Sequence, residues 1–121
     1  MATDRLLPGA HELHFSLQAR GLRLTNTHRR EVRRILTSAL GRFEHRLRTV
    51  RVWLEDVNGP RGGVDNRCRI DIEFRPRGVI SVSATASDEL AAAAKAANRA
   101  RELVDRRVKK RRSRSRQSVR I

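Results

Sequence analysis

The sequence predicts an α+β fold: a β-α-β-β-β-α two-layer sandwich, with two helices packed on one face of a four-stranded sheet. Three observations carry this. Four stretches alternate apolar and polar residues at the two-residue period of a strand. Two others carry apolar stripes at helical spacing. Every strand keeps one wet face, which suits a sheet covered on one side only. The 121 residues fit one domain, and a chain of this size buries roughly two thirds of its unfolded surface, enough for a core.

Residues 1–11 read as a loose, flexible start punctuated by Pro8-Gly9. Phe15, Leu17 and Ala19 then alternate with Ser16, Gln18 and Arg20 as a half-buried strand that ends at Gly21. Thr25-Asn26-Thr27 offers N-cap chemistry. Val32, Ile35, Leu36, Ala39, Leu40 and Phe43 follow as one helical stripe, which predicts a helix to about His45. Arg30, Arg34, Thr37, Gly41 and His45 project from its other side.

Three strands come next. Val50, Val52 and Leu54 alternate with Arg51, Trp53 and Glu55. Cys68, Ile70, Ile72 and Phe74 alternate with Arg67, Arg69, Asp71, Glu73 and Arg75. Pro76-Arg77-Gly78 signals a tight turn, after which Ile80, Val82 and Ala84 continue with Ser81 and Ser83 between them. The order predicts a parallel β-α-β crossover followed by two hairpins. Ser87-Asp88-Glu89 opens the last helix, with acids at its positive end. Leu90, Ala93, Ala94, Ala97, Ala100, Val104 and Val108 form its apolar stripe; a stripe so rich in alanine predicts close packing. The folded domain is expected over residues 12–110. Residues 111–121, RRSRSRQSVRI, offer nothing for a core and repel one another, so they read as a disordered basic tail.

Charge is the strongest functional signal. Twenty-eight Lys and Arg face thirteen Asp and Glu, a net charge of +15. Self-repulsion on that scale points to a polyanionic partner. Arg far outnumbers Lys, and its planar fork suits phosphate and base stacking. No apolar run approaches the ~18–20 residues of a membrane span, and no signal-peptide pattern opens the chain. The single Cys68 forms no disulfide framework within the chain, which suits a reducing cytoplasm. Lys95, Arg99, Arg106 and Lys110 recur at helical spacing opposite the stripe of the last helix, and only Glu102 interrupts them. Arg30 and Arg34 do the same on the first. With both helices on one sheet face, the two rows are expected to lie side by side and track phosphates; the alternative is a solvated helix face.

The stretch Asp56–Asp65 is long for a hairpin loop. Its glycines either bring backbone donors to phosphates, with Arg61 as the expected contact, or simply widen the hairpin. It lacks the Lys-Ser/Thr ending of a P-loop. Trp53, on the wet face of its strand, either stacks on a base or packs on cross-strand neighbours such as Arg69 or Arg51. His11 and His14 form an HxxH without a third ligand in a rigid setting, so no metal is expected. Cys68 falls on the apolar side and reads as an inert buried thiol. Asp71 and Glu73 lie among Arg67, Arg69 and Arg75, where ion pairing explains them better than raised pKa values. No Ser/His/Asp arrangement has supporting context. An enzyme, a cofactor and a small-molecule substrate are therefore not expected.

These residues resemble the ribosome hibernation promoting factor and ribosome-associated inhibitor A family, also called the sigma-54 modulation family, in its short form. The likeness covers about Phe15 to Lys110. It rests on Gly21-Leu22-Arg23-Leu24-Thr25, on the Val50–Leu54 strand, and on Asp88 followed by Leu90-Ala91-Ala92. The long run from Asp56 to Ile70 resembles one branch of that family. The resemblance implies the same β-α-β-β-β-α order. It implies docking on the rRNA of the small ribosomal subunit between head and body, across the path of mRNA and tRNA, as a steric block. It implies a cytoplasmic protein, monomeric off the ribosome, with no membrane partner. Family basic positions carry over to Arg29, Arg99 and Arg106. The chain departs from the pattern at Leu90, often Tyr in the family, at Glu102, a basic position there, and in its longer hairpin loop. As a short form, with only a short basic stretch after Lys110, the chain is expected to lack the dimerising C-terminal domain of the long form. Two other readings compete: a general double-stranded RNA-binding module, and a regulatory protein that binds an acidic protein partner.

Overall fold

A computed structural model describes residues 2–5, 13–57 and 65–119. The elements are β1 (Ala2–Arg5), β2 (His14–Arg20), α1 (Asn26–Leu40), a 3-10 helix (Gly41–Arg46), β3 (Leu47–Asp56), β4 (Asn66–Phe74), β5 (Val79–Ala86) and α2 (Glu89–Val119). The four predicted strands form the expected mixed sheet. β2 runs parallel to β3, and β3-β4 and β4-β5 are antiparallel hairpins. The short β1 adds a fifth, antiparallel strand on the outer edge of β2, so the sheet order is β1-β2-β3-β4-β5.

The register lines up the side chains in rows across the sheet. Leu17, Val52, Ile70 and Val82 form one row under the helices. Gln18, Trp53, Arg69 and Ser83 form the adjacent row on the open face. The period of two therefore divides the sheet into an apolar and a wet side, as its alternation predicts. Val50, Leu54, Cys68 and Ile72 are fully buried with the first row.

The two helices cover that apolar side. Thr25 caps α1, its hydroxyl accepting from the His28 backbone N–H at 3.1 Å. Val32, Leu36, Ala39 and Leu40 face the core. Asp88 caps α2 by accepting from the Ala91 N–H at 2.8 Å. The buried side of α2 is a seat of methyl groups, Ala92, Ala93, Ala96, Ala97 and Ala100, with Val104 and Val108 beyond it. α2 packs over β4 and β5 and alongside α1.

One clamp fastens the second half of α2 to the sheet. The Arg107 guanidinium lies 4.6 Å from the centre of the Phe74 ring and donates to the Arg77 carbonyl at 3.4 Å. Beneath it, Gly78 turns the chain from β4 to β5 with φ +112°. Its carbonyl accepts from Phe74 at 2.8 Å. A Cβ at this position would sit 1.8 Å from Arg107 Nη2. Glycine is required here by the positive φ, and its missing Cβ leaves the space that the Arg107 guanidinium occupies.

Three segments differ from the sequence expectation. Residues 2–5 pair as a strand, although the first 11 residues read as flexible; a four-residue edge strand is held by backbone hydrogen bonds and needs no apolar alternation. The first helix tightens to 3-10 geometry at Gly41 and does not run on as α-helix to His45. The tail read as disordered continues α2 to Val119. It contains no Gly or Pro, Arg and Gln are good helix formers, and extending an existing helix avoids the cost of nucleation.

Candidate nucleic-acid interface

The charges of the two sheet faces are arranged differently. On the open face the acids have Arg partners. Arg67 reaches Glu55 at 3.2 Å, Arg69 reaches Asp71 at 3.1 Å, and Arg48 lies 4.0 Å from Glu73. Partial burial works to raise the Asp71 pKa. Hydrogen bonds from Ser81 (2.6 Å) and Arg69, with the fields of Arg69 and Arg51, outweigh it and hold the carboxyl below its usual value. These carboxylates are acceptors in ion pairs, as the sequence suggests, and not poised acids. Trp53 lies on this face and packs as a cross-strand neighbour. Arg69 stands over its ring at 5.3 Å, and the indole N–H donates to Gln18 Oε1 at 3.0 Å.

The helix layer carries the basic residues singled out above. Arg29, Arg30, Arg34, Lys95, Arg99, Arg106 and Lys110 are all exposed. Their surroundings separate them into three kinds. Arg30, Arg106 and Lys110 make no hydrogen bond or ion pair with another described residue. Arg34 is held by Glu31 at 3.0 and 3.2 Å, so its charge is partly neutralised. Arg29, Lys95 and Arg99 donate to backbone carbonyls: Leu17 at 3.4 Å, Thr85 at 3.2 Å and Ser83. Those bonds fix their position and leave their charge uncompensated.

Lys95 and Arg99 thereby cover outward carbonyls of β5, which is an edge strand. A cation from the neighbouring helix blunts an edge that would otherwise pair with another strand. The same contacts show which way the α2 row leans. It hangs over the β5 side of the sandwich, while α1 packs against the other flank of α2, where Arg42 meets Asp105 at 3.4 Å. Both rows are on the surface, and the Arg42–Asp105–Lys109 chain of ion pairs lies on the flank where the 3-10 helix that follows α1 meets α2.

Arg61 lies outside the described residues. So does His11, while His14, His28 and His45 fall on β2, α1 and the 3-10 helix. Among the described residues no group of three His, Cys, Asp or Glu is placed to hold a metal ion. Cys68 is buried in the core, and burial pushes its thiol up to about 12. No helix of the described residues is long and apolar enough to cross a membrane.

The sequence reading overlooked two groups of cations. Arg107 lies outside the row of Lys95, Arg99, Arg106 and Lys110 that the spacing picks out; its role depends on Phe74 and Gly78, more than 25 residues away. Arg42, Arg46, Lys109 and Arg112 gather beside the 3-10 helix. The i,i+4 spacing of Asp105 and Lys109 was a legible signal for part of that group.

No family model and no curated protein matches this chain. Solved structures do. The N-terminal domain of Protein Y from Thermus thermophilus is 23% identical, with a TM-score of 0.62 over 75% of this chain and 93% of that one. A ribosomal subunit interface protein from Coxiella burnetii is 8% identical, with a TM-score of 0.63 over 76% and 93%. At these identities the likeness is one of fold, and it agrees with the family resemblance carried by the sequence.

Proposed function

We propose that this chain docks on the small ribosomal subunit and silences translation by blocking the decoding path of mRNA and tRNA, without catalysing a reaction. The observation that carries the reading is the uneven charge of the sandwich. Open-face acids are matched by arginines, while the helix layer presents Arg30, Arg106 and Lys110 without described counterions and Arg29, Lys95 and Arg99 with only carbonyl partners. A fold shared with a ribosomal subunit interface protein supports the ribosome over other polyanions as the partner.

The chemistry asked of the site is electrostatic. Guanidinium and ammonium groups displace counterions from rRNA phosphates, and the rigid body fills the channel. Residues 12–110 are the binding unit in this reading. The cationic continuation of α2 reaches about 14 Å past Lys110 at the helical rise and adds attraction at long range. Arg61 and the loop around it supply a further phosphate contact. The protein acts in the cytoplasm and is a monomer when off the ribosome.

Sedimentation through a sucrose gradient tests this directly. Co-migration of the full chain with isolated small subunits, and inhibition of translation in a reconstituted system, are the expected results. Equal affinity for any duplex RNA would favour a general double-stranded RNA binder. Retention on an acidic protein after RNase treatment would favour a regulatory protein-binding role. Either outcome would replace the proposal.

A further inference from the structure

The end of the helix layer holds a concave feature beside the 3-10 helix. A cleft of about 320 Å³ opens between the 3-10 helix and the last turns of α2 that pack on the body. Phe43 and Val108, both buried in the core, lie at its base. Arg42, Arg46, Lys109 and Arg112 line it, with His45 beside them. The one carboxylate in the lining is Asp105. It is already shared, 3.4 Å from Arg42 and 3.0 Å from Lys109.

Four permanent cations around one carboxylate leave the cleft strongly positive. The backbone does not redress this, because a helix C-terminus contributes only about half a negative charge. Solvated cations on a convex surface spread apart; these converge on a concavity from two elements distant in sequence. Arg42 is pre-ordered: it stacks on Phe43 with its guanidinium 4.6 Å from the ring centre. Arg46 is half-buried with its Nε inside the body, so an anion in the cleft would meet its terminal guanidinium nitrogens.

We propose that this cleft is a binding site for phosphate groups, sized for two or three linked phosphates and read by Arg42, Arg46, Lys109 and Arg112. The source is either a small free polyphosphate or consecutive phosphates of an RNA backbone. A free ligand would sit there whether or not the chain meets a ribosome, so the site does not depend on the function proposed above.

The test uses the full chain and sodium tripolyphosphate, titrated by calorimetry at constant ionic strength. The expected result is saturable one-to-one binding. It should weaken by about tenfold or more in K109Q/R112Q, which removes two charge-assisted contacts on exposed side chains. D105N removes the only carboxylate and should bind several-fold more tightly, an outcome that a loss of folding cannot imitate. Arg67→Gln, on the open sheet face, should leave binding unchanged. If tripolyphosphate does not bind, but K109Q/R112Q lowers the salt slope of small-subunit binding by about 0.7–0.9 for each lost cation, the phosphates come from RNA. Equal affinity of wild type, K109Q/R112Q and D105N for tripolyphosphate, or no binding together with an unchanged salt slope, would overturn the proposal.

Discussion

Gly78→Ala isolates the clamp between α2 and the sheet. The substitution has two separable costs. An alanine at φ +112° occupies backbone space that L-residues avoid, at about 1–3 kcal/mol. Its Cβ would also stand 1.8 Å from Arg107 Nη2 and 2.7 Å from Cζ. A guanidinium at the end of a flexible side chain moves readily, so the clash itself is relieved. The cost is what Arg107 leaves behind: its contact with the Phe74 ring, about 0.5–2 kcal/mol, and a long hydrogen bond to Arg77 worth about 0.5 kcal/mol. Together these give a destabilisation of about 2–5.5 kcal/mol, or roughly 8–22 °C in Tm for a domain of this size. Urea unfolding followed by circular dichroism measures it. The decisive comparison is a double-mutant cycle with Arg107→Ala. In that background the clash is gone and only the backbone cost remains, so the two changes should fall short of additivity by the Arg107 share, about 1–2.5 kcal/mol. Additivity within about 0.3 kcal/mol would refute the clamp and leave Gly78 as a residue required by its backbone alone.

Four further outcomes are expected. Arg106→Glu with Lys110→Glu should weaken binding to small subunits and lower its salt slope by about 1.4–1.8, with no change in the urea midpoint, measured by filter binding across salt. Arg99→Ala should lower affinity and stability together, by about 1 kcal/mol in stability, because it also uncaps Ser83 on the β5 edge; a stability equal to wild type would assign Arg99 to the partner alone. Asp71 has a folded-state pKa below its unfolded value, so its stabilisation is present above the unfolded pKa of about 3.9 and is lost as pH falls through the folded value. Asp71→Asn should therefore flatten the acid limb of a urea-midpoint profile taken from pH 6 to pH 2. Cys68, its thiol pushed up to about 12, should resist iodoacetamide at pH 8.5 in the folded protein and react in urea. Because the unfolded thiol ionises near 8.5, stability should fall as pH rises past that point.

The fold was largely legible because its core follows simple periods. Val50, Val52 and Leu54 alternate along β3, and the same residues are buried. The last helix opens where Ser87-Asp88-Glu89 marks its start, with Asp88, read there as an acid at the positive end, supplying the cap. What the periods could not convey depended on contacts distant in sequence. Lys95 and Arg99 fall on one helical face with Arg106, but only the neighbouring β5 makes them edge caps. Nothing near residue 42 in the sequence points to Asp105 as its partner. The relative lean of the two basic rows depends on which flank of α2 meets α1, and a stripe of alanines fits either choice. Helix length was misjudged at both ends of the range. Gly41 tightens the first helix early, and the like charges after Lys110 do not stop the second.

That alanine seat has a further consequence. A methyl group has no rotamer to fix, so setting α2 on Ala92, Ala93, Ala96, Ala97 and Ala100 incurs almost no side-chain ordering cost. It also leaves few alternative ways for the interface beneath to rearrange. The backbone that bears the cations is thus positioned on folding, before any partner arrives. What association must still immobilise is confined to the long arginine and lysine arms, at about 0.5–1.5 kcal/mol for each one stilled.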